Sequence, residues 1–130
     1  MISTDFVEQF CGTWELVNYH ILNIDGVLQT EDPRIIGRLI YCPDGSMSVV
    51  ITRGKEATTS LSDVVAYSGK YKIEGFRIDH IIEVSSVSTF YDSVQIREFR
   101  FVEGILELST VGRLDGQHVL RWRRSVTYSK

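Results

Sequence analysis

Gly12-Thr13-Trp14-Glu15-Leu16-Val17-Asn18-Tyr19-His20-Ile21-Leu22-Asn23-Ile24-Asp25-Gly26 is the stretch on which the fold turns. From Thr13 to Asn23 its side chains alternate as they do along a half-buried β-strand, where successive residues point to opposite faces. Asp25-Gly26 then supplies the residue pair that tight hairpin turns prefer. A tryptophan sits at the mouth of this first long strand.

The same grammar repeats downstream. Ile35 to Tyr41 and Met47 to Arg53 read as strands joined by Pro43-Asp44-Gly45, where proline presets one turn dihedral and glycine accepts a positive one. Tyr67 to Ile73 pairs through Glu74-Gly75 with Arg77 to Ser85, and Val94 to Val102 through Glu103-Gly104 with Ile105 to Val111. Asp115-Gly116 turns into a last strand, His118 to Val126, and Val27 to Gln29 reads as a short return arm before a loop at Thr30 to Arg34. The sequence thus predicts an all-β chain: a single antiparallel up-and-down β-barrel of about eight strands, within one domain over 1–130. Such a sheet can close on itself and hold one small ligand.

Two segments break the rhythm. Ser3 to Cys11 predicts a short N-terminal helix, with Ser3, Thr4 or Asp5 as cap, Gly12 as stop, and Phe6, Val7 and Phe10 on one apolar stripe that could plug a barrel end. Within 54–66, Ser60 and Asp63 form a loose capping box before Val64-Val65-Ala66, which predicts a loop with one or two helical turns lying across the open mouth.

The chain has 130 residues, the size of one domain, and at 43% hydrophobic and 24% charged it can bury a core without disulfide or metal. Fourteen basic and 17 acidic residues leave a net charge of −3, which disfavours nucleic acid and anionic membrane as partners. No apolar run approaches the length of a membrane helix, and the N-terminal residues lack the pattern of a secretion signal. The expected location is cytoplasmic, where reducing conditions disfavour a Cys11–Cys42 disulfide. Both cysteines read as small buried apolar residues.

Five fragments in order carry a family resemblance: Gly-Thr-Trp-Glu-Leu-Val (12–17), Leu-Ile-Tyr-Cys-Pro-Asp-Gly-Ser-Met-Ser-Val (39–49), Tyr-Ser-Gly-Lys-Tyr (67–71), His-Ile-Ile-Glu-Val-Ser-Ser (80–86) and Leu-Arg-Trp (120–122). Together they resemble the small bacterial and fungal lipocalin-like domain family over nearly the whole chain. The resemblance implies a calycin-type barrel with an internal cavity. It also implies carriers and, in natural-product pathways, cyclases as precedents for function, although fold transfers better than reaction. In such barrels the first-strand tryptophan packs near the closed end beneath an arginine of the last strand. That implies a structural pair, Trp14 with Arg124, in cation–π contact.

Alternation assigns an inner face: Trp14, Leu16, Asn18 and His20; Leu39 and Tyr41; Met47, Val49 and Ile51; Tyr67, Gly69, Tyr71 and Ile73; Ile78, His80, Ile82 and Val84; Gln95, Arg97, Phe99 and Phe101; Leu106, Leu108 and Thr110; Leu120 and Trp122. The ligand-binding candidates among these are Asn18, Tyr41, Tyr67, Tyr71, His80, Gln95, Arg97 and Phe99, apolar walls with a few placed hydrogen-bonding groups. Gly69 leaves a gap where a ligand or a tryptophan ring could approach. An inward Arg97 needs an anionic or carbonyl partner, supplied either by Glu83 or Glu98 or by a ligand carboxylate or enolate. His80 is either a hydrogen-bonded core residue or a proton carrier beside a carbonyl substrate, so His80 and Arg97 are the catalytic candidates. His20 reads as a rim residue and His118 as lying in or near a turn.

No histidine or carboxylate spacing suggests a metal site, and no cofactor is expected. Arg121, Arg123 and Arg124 surround Trp122 but alternate across two faces, which is a solvated strand rather than a nucleic-acid stripe. Three functional readings follow. The first is a binding protein holding a small apolar or amphipathic organic molecule. The second is a cyclase or isomerase of a polyketide-like intermediate in the same cavity. The third is a protein-interaction module without internal ligand; a homodimer is left open.

Overall fold

The computed structural model describes residues 4–31, 35–52, 64–111 and 116–126. A seven-residue helix, α1 (Thr4–Phe10), precedes nine strands: β1 (Gly12–Leu22), β2 (Leu28–Glu31), β3 (Ile36–Tyr41), β4 (Ser46–Thr52), β5 (Val65–Glu74), β6 (Arg77–Ser85), β7 (Val94–Val102), β8 (Ile105–Thr110) and β9 (Gln117–Arg124). From β3 onward each strand pairs antiparallel with the next, and β9 returns to β1 to close the sheet.

Although nine segments are present, the barrel has eight staves. On β1, Trp14 and Glu15 pair with both β3 and β9, while His20 to Leu22 pair with both β2 and β9. A strand has two edges, so β2 and β3 share the edge opposite β9 and form one interrupted stave. The up-and-down barrel read from the sequence is therefore the observed fold. The helical turns expected within 54–66 and the turn residue Asp115 lie outside the described residues, except that β5 already begins at Val65. A single-turn 3-10 segment, Ser88–Phe90, was not anticipated.

The core fills one end. Trp14, Leu39, Tyr41, Met47, Ile73, Ile78, Leu106 and Trp122 are buried, and α1 lays Phe6 and Phe10 against them. Phe10 meets Phe99 and Phe101 edge-on, with ring centroids 4.8 and 5.2 Å apart, and Phe6 meets Phe99 at 5.3 Å. Full burial of a phenylalanine contributes about 2–3 kcal/mol, so this stripe, rather than helix propensity, holds so short a helix in place.

Trp14 and Arg124 finish that end. The indole N–H of Trp14 donates to the Phe10 carbonyl at 2.8 Å, and Arg124 donates to the carbonyls of Gln9 and Cys11. The Arg124 guanidinium carbon stands 4.4 Å from the Trp14 ring centroid. Together they satisfy carbonyls that the end of a helix leaves unpaired, with a cation where the backbone dipole favours one. Gly12 adopts φ +128°, a backbone conformation that other residues rarely take, and a Cβ there would also press to 2.8 Å on an Arg124 nitrogen. Arg124→Met should cost about 1–2 kcal/mol through the lost hydrogen bonds and cation–π contact, read as a lower urea midpoint. An unchanged midpoint would remove this capping role.

Two bulges correct the face assignments. Between Leu16 and Asn18 the pairing to β9 shifts by a residue, so that Asn18 stands opposite Arg121 and Tyr19 opposite Leu120. Asn18 and His20 consequently turn to the outer face, and Tyr19 turns inward; neither of the first two belongs to the cavity wall. The second bulge, at Ser68/Gly69, puts Ile82 opposite Gly69 but Val84 opposite Ser68, turning Val84 outward. Gly69 admits neither ligand nor tryptophan: its missing side chain makes room for the Ile81 carbonyl oxygen, which a Cβ would approach to 1.9 Å.

Candidate functional site

Above the aromatic floor lies a cavity of about 210 Å³. Leu39, Val49, Ile51, Val65, Leu108 and Leu120 give it apolar walls, and Tyr19, Tyr67, His80, Arg97, Thr110, His118 and Trp122 bring polar atoms. A wider hollow of about 560 Å³ beside Ile36, Arg38, Val50 and Arg123 opens on the outer face and offers a ligand little enclosure.

His80 anchors the polar side. It projects from β6, is 2% exposed, and has a tyrosine hydroxyl at each ring nitrogen: Tyr41 at Nε2, 2.6 Å, and Tyr67 at Nδ1, 2.7 Å. Burial, reinforced by the nearby Arg97 charge, pushes the imidazole pKa down to about 3, so the ring is neutral. Burial likewise raises the Tyr67 hydroxyl to about 12 and holds Tyr41, with Tyr67 beside it, well above the usual phenol value.

A neutral imidazole donates from one nitrogen and accepts at the other, so the two phenols play opposite roles. Tyr41 is 1% exposed and has His80 as its hydroxyl's hydrogen-bond partner among the described residues. Were Tyr41 the acceptor, its own O–H would be buried without a partner, a cost of about 1–3 kcal/mol. Tyr41 therefore donates to Nε2, and the Nδ1–H of His80 donates to Tyr67. The Tyr67 proton is then left for the cavity.

Arg97 projects from β7 onto the same wall, its neighbours across the strands being buried Ile78 and Thr110. Its guanidinium donates to the Ile96 carbonyl at 2.9 Å and, weakly, to the Gln95 side-chain oxygen at 3.4 Å. Among the described residues no carboxylate reaches it; Glu83 and Glu98, the protein partners considered from sequence, are exposed and do not answer it.

The other candidates sit elsewhere. Tyr71 and Phe99 belong to the floor: Tyr71 donates to the Cys42 carbonyl at 2.8 Å and lies 3.6 Å from the Cys11 sulfur, while Phe99 packs on α1. Burial and the Cys11 contact raise the Tyr71 hydroxyl. Gln95 touches Arg97 from beside the cavity. Thus Tyr67, His80 and Arg97 come together, Tyr41 supports His80 from beneath, and Asn18, Tyr71 and Phe99 do not join them.

Several wall residues were missed. His118 is the second residue of β9, near the strand's start as expected, and its two-residue spacing from Leu120 places it on the inner face; the Tyr19 hydroxyl bonds its Nδ1. Tyr19 itself carried no signal, because the bulge that turns it inward is invisible in the pattern. Phe90, from the 3-10 turn, meets the Tyr67 ring at 6.2 Å. The buried Trp122 indole N–H has no partner among the described residues. Among the described residues there is no cluster of three potential metal ligands.

A family model described as a lipocalin-like domain matches residues 11–125, the whole closed sheet. The chain belongs to the lipocalin-like domain family. Among curated proteins none matches it. Among solved structures, an uncharacterized protein from Bacteroides eggerthii is similar at TM-score 0.51 and 15% identity, over 86% of this lipocalin-like chain and 98% of the other. A variant of the fluorescent protein UnaG is similar at TM-score 0.50 and 15% identity, over 93% and 99% of the two chains. A de novo designed fluorescence-activating β-barrel is similar at TM-score 0.50 and 16% identity, over 96% and 100%. At these identities the likeness is one of fold. No described helix of the lipocalin-like chain is long and apolar enough to cross a membrane.

Proposed function

We propose that this lipocalin-like barrel is a binding protein that holds one small, largely apolar organic molecule in its interior. The observation that carries the reading is the cavity of about 210 Å³ inside the barrel, lined by aliphatic residues and by the polar groups of Tyr19, Tyr67, His80, Arg97, Thr110 and His118. A cavity of about 150 Å³ accepts benzene, so this volume suits roughly eight to ten non-hydrogen atoms, one ring with short substituents. The unpaired cysteines, Cys11 and Cys42, favour a reducing, cytoplasmic setting.

Binding is favoured over catalysis. A general base works best with a pKa near the working pH, whereas His80 is held near 3 and both its nitrogens are engaged by tyrosines. Protonating it at neutral pH costs about 5 kcal/mol. The interaction-module reading calls for no useful interior, and the cavity argues against it.

Native mass spectrometry of gently purified protein tests the proposal. A defined small molecule that leaves on denaturation is the expected result. Protein of bare-chain mass that also takes up neither benzene nor toluene at saturation would overturn it.

A further inference from the structure

The polar atoms facing this interior are unbalanced, and the imbalance describes the ligand. Arg97 brings a permanent cation with no carboxylate partner among the described residues. Tyr67, having accepted from His80, has its O–H left over. Trp122, which lines the cavity from β9 and is 1% exposed, has an indole N–H without a partner among the described residues. The Thr110 oxygen already accepts from the His118 backbone N–H at 2.9 Å, so that hydroxyl too is placed to donate. Against these donors, none of the described residues lining the cavity is Asp, Glu, Asn or Gln.

We infer that the ligand is a small aromatic carboxylate, its ring between the aliphatic walls and its carboxylate oxygens taking the donors of Arg97 and Tyr67. The inference rests on the binding reading above. An anion supplies what the wall lacks: acceptor oxygens for several donors and a countercharge for a guanidinium set against apolar surface. An apolar neutral molecule would leave these donors unanswered in a partly dehydrated space, and a cationic or donor-rich one would meet Arg97 directly. The volume accommodates about one ring beside that carboxylate.

Calorimetric or NMR titration with benzoate, salicylate and 4-methylbenzoate, beside the near-isosteric neutral compounds benzamide and benzyl alcohol, tests this. Hydrogen bonds to charged groups contribute about 1.5–3 kcal/mol, so the carboxylates should bind about ten-fold or more tighter than their neutral counterparts. Arg97→Gln should abolish that preference, lowering carboxylate affinity about ten-fold more than benzyl alcohol affinity. Tyr67→Phe, which keeps the wall and loses one donor, should reduce the preference a few-fold. The wild-type comparison needs no variant and stands if either one fails to fold. Equal binding of charged and neutral compounds would overturn the carboxylate assignment and leave the cavity reading intact. Binding of none of them, with no uptake of benzene or toluene, would overturn both.

Discussion

Gly69→Ala is expected to destabilise the barrel by about 3 kcal/mol or more, a loss near the upper end for single substitutions. The added Cβ would stand 1.9 Å from the Ile81 carbonyl oxygen and 3.0 Å from the Glu83 nitrogen. All of these are backbone atoms, so no side chain can swing aside. Relief requires undoing the bulge at Ser68/Gly69, and the register of every residue beyond it depends on that bulge. Tyr67 lies just past it, and Tyr67 holds one nitrogen of His80. The substitution should therefore lower the melting temperature by about 10 °C or more and weaken ligand uptake in whatever fraction still folds. Gly37→Ala is the milder comparison: its Cβ would sit 3.1 Å from the Val50 carbonyl oxygen, 3.2 Å from a side-chain carbon of Ile51 and 3.3 Å from the Trp122 ring, overlaps of a few tenths of an ångström only. Thermal and urea unfolding of both variants would decide the point. A Gly69→Ala barrel as stable as its Gly37→Ala counterpart would show that the close approach at β5–β6 carries no such weight.

That bulge also marks where the sequence stops being readable. Alternation and turn residues are local signals, and they were enough for α1, the order of the strands and the closure by β9. They were enough, too, for the inner row Gln95, Arg97, Phe99, Phe101 on β7, where no register shift intervenes. A bulge adds one residue without any compositional mark, so Asn18, His20 and Val84 were assigned to the wrong face and Tyr19 was overlooked. Depth along the barrel is equally silent. Tyr71 and Tyr67 share a face, yet one closes the floor beside Cys42 and the other borders the cavity. Only the three-dimensional taper of the barrel and the plug of α1 decide which is which. The two-tyrosine clasp on His80 spans three strands and has no sequence signature at all.

The clasp makes the barrel sensitive to both acid and alkali. In the unfolded chain His80 takes up a proton as pH falls below about 6.5, whereas in the folded barrel it does so only near 3. Between those values the unfolded state binds the extra proton, so stability falls with falling pH at about 1.4 kcal/mol per pH unit, reaching roughly 4–5 kcal/mol across the window. Asp44 and Glu107, whose carboxyls are held below their ordinary values, add their loss only at the lower end of that range. On the alkaline side Tyr67 keeps its proton to about 12, while the unfolded phenol loses it from 10 upward, so stability falls again above pH 10. Unfolding free energies measured by urea titration from pH 4 to 11 should thus plateau between about 6.5 and 10. His80→Gln, neutral at every pH and able to hydrogen-bond the same tyrosines, should lose stability at neutral pH but flatten the slope between pH 6.5 and 5. An unaltered slope in that variant would mean that another group takes up the proton, and that the imidazole between Tyr41 and Tyr67 is not held neutral by its burial.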